Sequence, residues 1–255
     1  MKQSNTQTFR PFIRSLNANF ENFRDLLEQS DFSFNIICLT ETWSSDTDFH
    51  SNSLYQLHHY KAIHFERKIN KNGGGVLIYV KDDLKYKIRH DLCISDINCE
   101  CLTIEIINKD SKNFLVSCCY KPPSGNTMNL SEHLINIFQH ATSENKLFFI
   151  LGDFNLNCLD FGESSEIKNF YNTIFEHGAI PLITRPTRVT NTTATLIDNI
   201  LTNCVFDISL KKGIIKSSIS DHFPIFAAIT ISKTKQSIKK IKIKKRNFDD
   251  SSKLA

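Results

Sequence analysis

Residues 147–157, LFFILGDFNLN, carry the most informative pattern in the sequence. An apolar run is followed at once by Gly152 and Asp153, and Asn155 comes two positions later. Short apolar runs of this length that end at turn-forming residues predict a strand buried on both faces. The sequence thus predicts a strand with an acid and an amide at its carboxyl end.

Four more segments combine a strand-like apolar run with polar residues at or beside its end. The residues concerned are Glu41, Tyr120, the pair Asp198 and Asn199, and the pair Asp221 and His222. One acid at a strand end is most often a turn former or a helix cap. Five such positions together favour another interpretation, because loops at the ends of rigid strands can aim side chains into one shared cleft.

This set of side chains fits the cleavage of a phosphodiester. Carboxylates bind a hard divalent cation and deprotonate water, and an imidazolium or an amide stabilises the charge of the transition state. Asp153 and Asn155 lie at positions i and i+2, so in extended chain they would point to the same face. Asp221 and His222 are adjacent, so they can act together only if the chain bends there.

The rest of the chain predicts a layered α/β domain with two sheets. Apolar residues at helical spacing predict helices at 18–29, around 130–141 with Asn129 or Ser131 as the cap, and at 164–176. Short strand-like runs outnumber these helices, which favours a layered arrangement over a simple repeat of one strand and one helix.

The glycine triplet at 73–75 precedes the strand-like segment VLIYV. Glycines before a strand can suggest a phosphate-binding loop. Neither the lysine nor the helix start of such a loop follows here, so the triplet is interpreted as a flexible turn.

Charge is distributed unevenly along the chain, whose formal net charge is +4. Residues 233–255 hold nine Lys/Arg against two acids, and the remainder holds 22 Lys/Arg against 25 acids. We therefore predict one domain at 1–232 and a basic, disordered tail at 233–255. Only the tail favours a polyanionic partner on bulk charge, and its KKIKIKKR run is also compatible with a nuclear-import signal.

The sequence predicts an intracellular protein, nuclear or cytoplasmic. No apolar run approaches the roughly 18 residues of a membrane span, and the N-terminus lacks the apolar region of a secretory signal. The eight cysteines form no C-x-x-C pair, and several lie inside apolar runs. They are interpreted as buried free thiols rather than disulfides or zinc ligands.

These polar clusters and the segments around them resemble those of the endonuclease/exonuclease/phosphatase superfamily, and more narrowly those of the apurinic-type endonuclease domain of non-LTR retrotransposons. The similar segments cover about residues 12–231 in the family's order. They are RSLNANFENFRDLL, IICLTETW, GGGVLIYV, CYKPPSGN, LFFILGDFNLN, TRPTRVTNTTATLIDNILTN and SDHFPIFAAI.

The resemblance implies a four-layered α/β sandwich, with two central mixed sheets flanked by helices, and a site that uses Mg²⁺ (or Mn²⁺). Matched by position, Glu41 would be the principal metal ligand and Tyr120 would contact the scissile phosphate. Asp153 would orient or deprotonate the attacking water, and Asn155 would hold the phosphate.

The later motifs complete the implied site. Asp198 would support the histidine or the leaving group. His222 would stabilise the developing charge, with Asp221 orienting it or adding to the metal site. Thr187 and Asn199 would bind substrate.

One position departs from the family pattern. The family has an asparagine on its first strand about 29 residues before the glutamate, and Phe12 occupies that position here. Phenylalanine can neither ligate a metal nor hydrogen-bond a carboxylate. The first ten residues also lack an apolar run, which predicts a first strand that is divergent or truncated.

Three functions follow as expectations. The first is a Mg²⁺-dependent endonuclease that nicks DNA and leaves a 3′-hydroxyl, with the reverse transcriptase of a parent element lying outside this chain. The second, motivated by Phe12, is a catalytically impaired DNA-binding remnant. The third is a phosphatase of the same superfamily that acts on small molecules or lipids.

Overall fold

The computed structural model describes residues 4–10, 16–29, 33–44, 55–65, 73–109, 111–204, 209–216 and 220–231. The predicted tail at 233–255 and Phe12 lie outside these ranges. The helices are α1 (Leu16–Gln29), α2 (Thr127–Ser143) and α3 (Ser165–Glu176). The strands are β1 (Ser4–Arg10), β2 (Ile36–Thr40), β3 (Tyr60–Phe65), β4 (Val76–Lys81), β5 (Lys85–Ile88), β6 (Ile94–Ser95), β7 (Glu100–Ile107), β8 (Phe114–Tyr120), β9 (Leu147–Asp153), β10 (Ile180–Pro181), β11 (Arg188–Val189), β12 (Ala194–Thr195), β13 (Asp198–Thr202), β14 (Lys211–Ile214) and β15 (Ile225–Ile231).

Most of these strands form two mixed sheets. One has the order β14-β15-β1-β2-β4-β3, and the other has the order β10-β13-β9-β8-β7-β5 with β6 beside β7. The pairs β1–β2 and β8–β9 are parallel, whereas the remaining pairs are antiparallel. The strands β11 and β12 form a separate hairpin.

The two faces of β2 show how the sheets and helices are layered. Ile37 and Leu39 pack into a cluster with Phe20 and Phe23 of α1. Ile36 and Cys38 point the other way, into the large core shared with the second sheet. The helices α2 and α3 add to that core from beyond the second sheet, where the Phe138 and Phe148 rings lie 5.1 Å apart. The predicted α/β class, with two sheets flanked by helices, is confirmed.

Local expectations differ from the structure at two chain segments. The polar segment predicted as a divergent or truncated first strand forms the seven-residue β1, which pairs with β15 over its whole length. Backbone pairing to two neighbours holds this strand without an apolar run. The second helix begins earlier than predicted, because Asn126 rather than Asn129 or Ser131 caps it by accepting from the Met128 N–H.

The cysteines agree with the sequence-based expectation of buried free thiols. All eight cysteines are free thiols, and all but Cys93 are buried. Among the helices that the structure describes, none is long and apolar enough to cross a membrane.

A buried guanidinium joins three elements of the second sheet and its helix layer. Arg89 donates to Asp91 and to Glu144, and its Nη1 lies 3.4 Å from Glu105. The hydrogen bonds from Arg89 are the main cause that lowers the pKa of Asp91 and of Glu144 to about 2. Both carboxylates therefore bind Arg89 in their charged forms at neutral pH.

Replacing Arg89 by methionine should destabilise the protein in a pH-dependent way. We expect a loss of about 3 kcal/mol at pH 7, at the lower end for breaking a buried ion pair, because Asp91 and Glu144 keep some contact with water. Because folding lowers the pKa values of Asp91 and Glu144, their ion pairs with Arg89 stabilise the protein fully above the unfolded-state pKa of about 4. This stabilisation is lost as pH falls towards the folded-state value of about 2. Denaturant titrations should show the difference from wild type shrinking over that window. Exposed Lys168→Met is the control, and a difference that does not change with pH would contradict the assignment.

Candidate active site

The register of the second sheet places four polar residues in one row. Tyr120 pairs with Glu100 on one side and with Asp153 on the other, and Asp153 pairs with Asp198. Paired residues of neighbouring strands lie about 4.8 Å apart and point to the same face of the sheet. All four side chains are at least 96% buried. The row therefore concentrates acid groups at one edge of the space between the sheets.

The same register explains why Asn199 does not reach the site. Asn199 follows Asp198 on β13, so its side chain points to the opposite face of the sheet. There it accepts from the Ile183 N–H at 3.0 Å and donates to the Ile183 carbonyl oxygen at 2.9 Å. The amide of Asn199 holds a neighbouring loop in this geometry, and a role in substrate binding stays a prediction.

His222 completes the row from the segment just before β15. Its Nδ1 lies 2.9 Å from Oδ2 of Asp198, and both side chains are buried. Thr187, predicted to bind DNA, is instead fully buried, and its Oγ1 accepts from the Asp198 N–H at 3.1 Å. Thr187 therefore positions Asp198 and has no surface to offer a ligand.

Asp221 contacts an arginine rather than the histidine. Nε of Arg188 donates to Oδ2 of Asp221 at 2.7 Å, and both side chains are partly exposed. Burial alone would raise the pKa of Asp221, but the hydrogen bond from Arg188 and the neighbouring charges of His222 and Arg188 hold it below its usual value. Of the two acids considered as partners for His222, the structure places Asp198 against the ring.

Asp153 and Asn155 reach the same cleft by a turn and not through extended chain. β9 ends at Asp153, and Asn155 has a left-handed backbone with φ of 46°. The Asn155 N–H donates to Oδ1 of Asp153 at 3.0 Å, and Nδ2 of Asn155 donates to the Lys121 carbonyl oxygen at 2.8 Å. These bonds fix the amide while leaving it a second N–H for a ligand.

Glu41 lies on a strained segment that the glycine triplet supports. Both Glu41 and Trp43 have φ of 54°, a left-handed conformation that costs about 1–3 kcal/mol in such residues. The N–H groups of Thr42 and Trp43 donate to the carbonyl oxygens of Gly75 and Gly74. A Cβ on Gly75 would lie 2.3 Å from Oγ1 of Thr42. The triplet is therefore a fitted partner of this segment.

The hydroxyl of Tyr120 connects this segment to the row by donating to Oε1 of Glu41. Glu100, which the sequence analysis missed, accepts from the Gly75 N–H at 2.6 Å. A signal for Glu100 was present, since it is a charged residue at the start of an otherwise apolar strand. Arg188 was also missed, because its proximity to Asp221 depends on a contact between distant parts of the chain.

Five of the predicted site residues meet in one cleft of about 220 Å³, which we call the acidic cleft. Tyr120 and Asp198 border it through their contacts with Glu41 and His222. Its lining residues are Glu41, Trp43, Pro123, Asp153, Asn155, Arg188, Asp221 and His222.

The donor set of the acidic cleft fits a divalent cation. One ligand atom each from Asp153, Asp198 and His222 lie within 4.8 Å of one another. Buried carboxylates this close repel each other unless a cation balances them. The predicted ligands Glu41 and Asp221 line the same cleft but are not members of this compact group.

Comparisons with known proteins give a consistent picture. The model of the "Endonuclease/Exonuclease/phosphatase family" matches residues 3–222. No curated protein matches the chain.

Solved structures share the fold. The endonuclease domain of TRAS1, a telomere-specific non-LTR retrotransposon, has a TM-score of 0.65 at 11% identity, covering 89% of this chain and 99% of that domain. The AP endonuclease LMAP from Leishmania major has a TM-score of 0.72 at 13% identity, covering 89% and 88%. The 3′ phosphatase NExo from Neisseria, bound to a product DNA hairpin, has a TM-score of 0.62 at 15% identity, covering 87% and 98%.

Substituting Gly75 by alanine tests the support of the Glu41 segment. The positive φ and the close approach to Thr42 should cost at least about 1–2 kcal/mol and move the segment. Trp43 is the chain's single tryptophan and is 46% exposed, so its fluorescence and its quenching by acrylamide report the movement directly. Gly162→Ala is the matched control, because a Cβ there meets nothing within 4 Å. Emission and stability equal to wild type in Gly75→Ala would refute the role of the triplet.

Proposed function

The chain belongs to the endonuclease/exonuclease/phosphatase family, and from that premise and the acidic cleft we propose that it is a metal-dependent DNA endonuclease of the retrotransposon type. It would hydrolyse one phosphodiester bond in a strand and leave a 3′-hydroxyl. The observation that carries the proposal is the register that aligns Tyr120, Asp153 and Asp198 on three neighbouring strands, next to His222.

Mg²⁺ (or Mn²⁺) is the proposed cofactor. Glu41 would hold the ion, since its carboxylate lines the acidic cleft beside Asp153, whereas Asp221 is already paired with Arg188. When bound, such an ion draws charge from the phosphate and lowers the pKa of a coordinated water. Tyr120 fixes the Glu41 carboxylate through its hydroxyl.

The chain's own residues would divide the hydrolysis among them. Asp153 takes a proton from the attacking water, and the water oxygen forms a bond to phosphorus while the bond from phosphorus to O3′ breaks. The departing O3′ takes up a proton from solvent, which leaves a 3′-hydroxyl and a 5′-phosphate. The free N–H of Asn155 holds a phosphate oxygen. Asp198 orients the His222 ring through Nδ1, and the ring would stabilise the developing charge.

DNA is the proposed substrate on two grounds. The segment 184–203 resembles the retroelement endonucleases more than the repair enzymes or the phosphatases. The similar solved structures include a retrotransposon endonuclease domain, an AP endonuclease and a phosphatase bound to a DNA hairpin. Their identities of 11–15% support a common fold, so the choice of DNA rests on the motif.

One observation favours a second candidate, a catalytically impaired DNA-binding remnant. Phe12 replaces the asparagine of the family's first motif and follows β1 by two residues. A phenyl ring offers no atom to a metal or to a carboxylate. The remnant would bind DNA without metal and without cleavage.

Nicking of supercoiled plasmid distinguishes these functions. The wild-type chain should convert supercoiled to relaxed circles in Mg²⁺ or Mn²⁺ but not in EDTA. Asp153→Ala should lower the rate about a hundredfold or more, because it removes the general base. Asp82→Ala removes an exposed acid far from the cleft and should leave the rate unchanged.

Phe12→Asn, assayed beside these proteins, separates the candidates. A wild-type chain that binds plasmid but is inactive in both metals, with activity appearing in Phe12→Asn, would reject the active endonuclease in favour of the remnant. Release of phosphate from inositol phosphates without any nicking would instead favour the phosphatase of the same superfamily.

A further inference from the structure

A second cleft lies behind one wall of the acidic cleft. The wall is a short antiparallel backbone pairing. In it, the Phe223 N–H donates to the Thr187 carbonyl oxygen at 2.6 Å, and Arg188 and His222 form an isolated β-bridge. Arg188 and His222 line the acidic cleft, whereas their neighbours Val189 and Phe223 line the second cleft. The two clefts therefore lie on opposite sides of this backbone pairing.

This second cleft, which we call the basic cleft, has a cationic rim and an apolar floor. Its volume is about 500 Å³, within the range of pockets that enclose small molecules. The rim is formed by Arg185, Lys212 and Lys216, which are exposed and form no ion pair with another described residue. No aspartate or glutamate is among the lining residues, and the floor includes Val189, Ile214 and Phe223.

The arrangement of the rim follows from strand geometry. Lys212 and Ile214 lie two residues apart on β14, so both point to the same face. β14 is an edge strand of the first sheet, and it faces the 182–189 loop across the cleft. Lys212 and Lys216 therefore lie on the β14 side of the cleft and Arg185 lies on the side of the 182–189 loop, so cations flank the opening.

Charge complementarity selects the ligand. Residues 1–232 hold 22 Lys/Arg against 25 acids, so a cleft whose lining includes three cations and no acid is a local exception on an acidic body. Lys and Arg bind backbone phosphates of nucleic acids, and apolar or aromatic side chains bind the faces of bases that are not stacked in a duplex. The bases of an intact duplex remain stacked inside it and would leave the apolar floor unfilled.

We propose that the basic cleft binds an unpaired nucleotide of the DNA strand, next to the phosphate held in the acidic cleft. This inference rests on the proposed function for the identity of the ligand. It adds a preference for substrates in which the strand beside the scissile phosphate is single-stranded.

Binding is measured by fluorescence anisotropy in EDTA, on the full chain, with a labelled duplex that carries a short single-stranded overhang at either end and with the same duplex made blunt. Wild type should prefer the overhang probes. Lys212→Ala with Lys216→Ala should weaken overhang binding and reduce the slope of log Kd against log salt by about 1.4, the value for two phosphate contacts on a single strand. Val189→Asp places an anion on the exposed floor and should abolish the preference.

The matched control is Lys85→Ala with Lys168→Ala, which removes the same charge from exposed positions elsewhere. The basic tail contributes equally in every variant. The proposal would be overturned if the two double variants showed equal slopes of log Kd against log salt, or if wild type showed no preference for the overhang probes. It would also be overturned if the Lys212/Lys216 variant lost as much affinity for the blunt duplex as for the overhang probes. Plasmid nicking separates the two claims. If the wild-type chain does not nick plasmid but the Lys212/Lys216 double variant loses overhang binding, only the proposed function is refuted. If the wild-type chain nicks plasmid and the double variant binds overhang probes as tightly as wild type, only the role of the basic cleft is refuted.

Discussion

The site depends on the register between β8, β9 and β13. Main-chain hydrogen bonds set Tyr120 opposite Asp153 and Asp153 opposite Asp198, so three strand ends present their polar side chains to one face. A slip of one residue in any of these pairings would turn a side chain to the other face of the sheet. Apolar residues fill the positions before the row on both faces of β8 and β9, and burying them elsewhere would be costly. The core that stabilises the fold therefore also fixes the chemistry.

The first sheet contributes the groups that the row needs around it. Glu41 enters on a left-handed turn held by the carbonyl oxygens of the glycine triplet, and His222 enters just before β15. Glu100 joins the two sides, because it belongs to the row and accepts from the Gly75 N–H. Strain in the Glu41 segment persists because contacts from both sheets hold it, which keeps the carboxylate close to Tyr120 before any ligand binds.

The sequence supported the fold and the acids of the row, because buried strands give continuous apolar runs and their ends give polar clusters. It could not decide which face each side chain would occupy. Asp198 and Asn199 are adjacent and equally polar, yet the register sends one to the cleft and the other to the Ile183 loop. Arg188 meets Asp221 only through a long-range backbone pairing, for which local pattern holds no signal. The strand β1 is stabilised by backbone pairing to two neighbours and not by an apolar composition. The sequence therefore predicted a divergent or truncated first strand, because it holds no signal for that pairing.

If the acidic cleft acts on DNA, as proposed, it has to overcome repulsion from the phosphates, and the two clefts would divide that task. Asp153 and Asp198 are held close together by the register whether or not a cation is present, so the negative potential there is built into the sheet. A divalent cation would neutralise it at the point of chemistry. Across the wall, Lys212 and Lys216 would attract the neighbouring phosphates without adding positive charge beside the general base. Under the proposed function, keeping these lysines on the far side of the backbone pairing would let one domain hold both an acid-rich reaction centre and a basic binding surface for the strand.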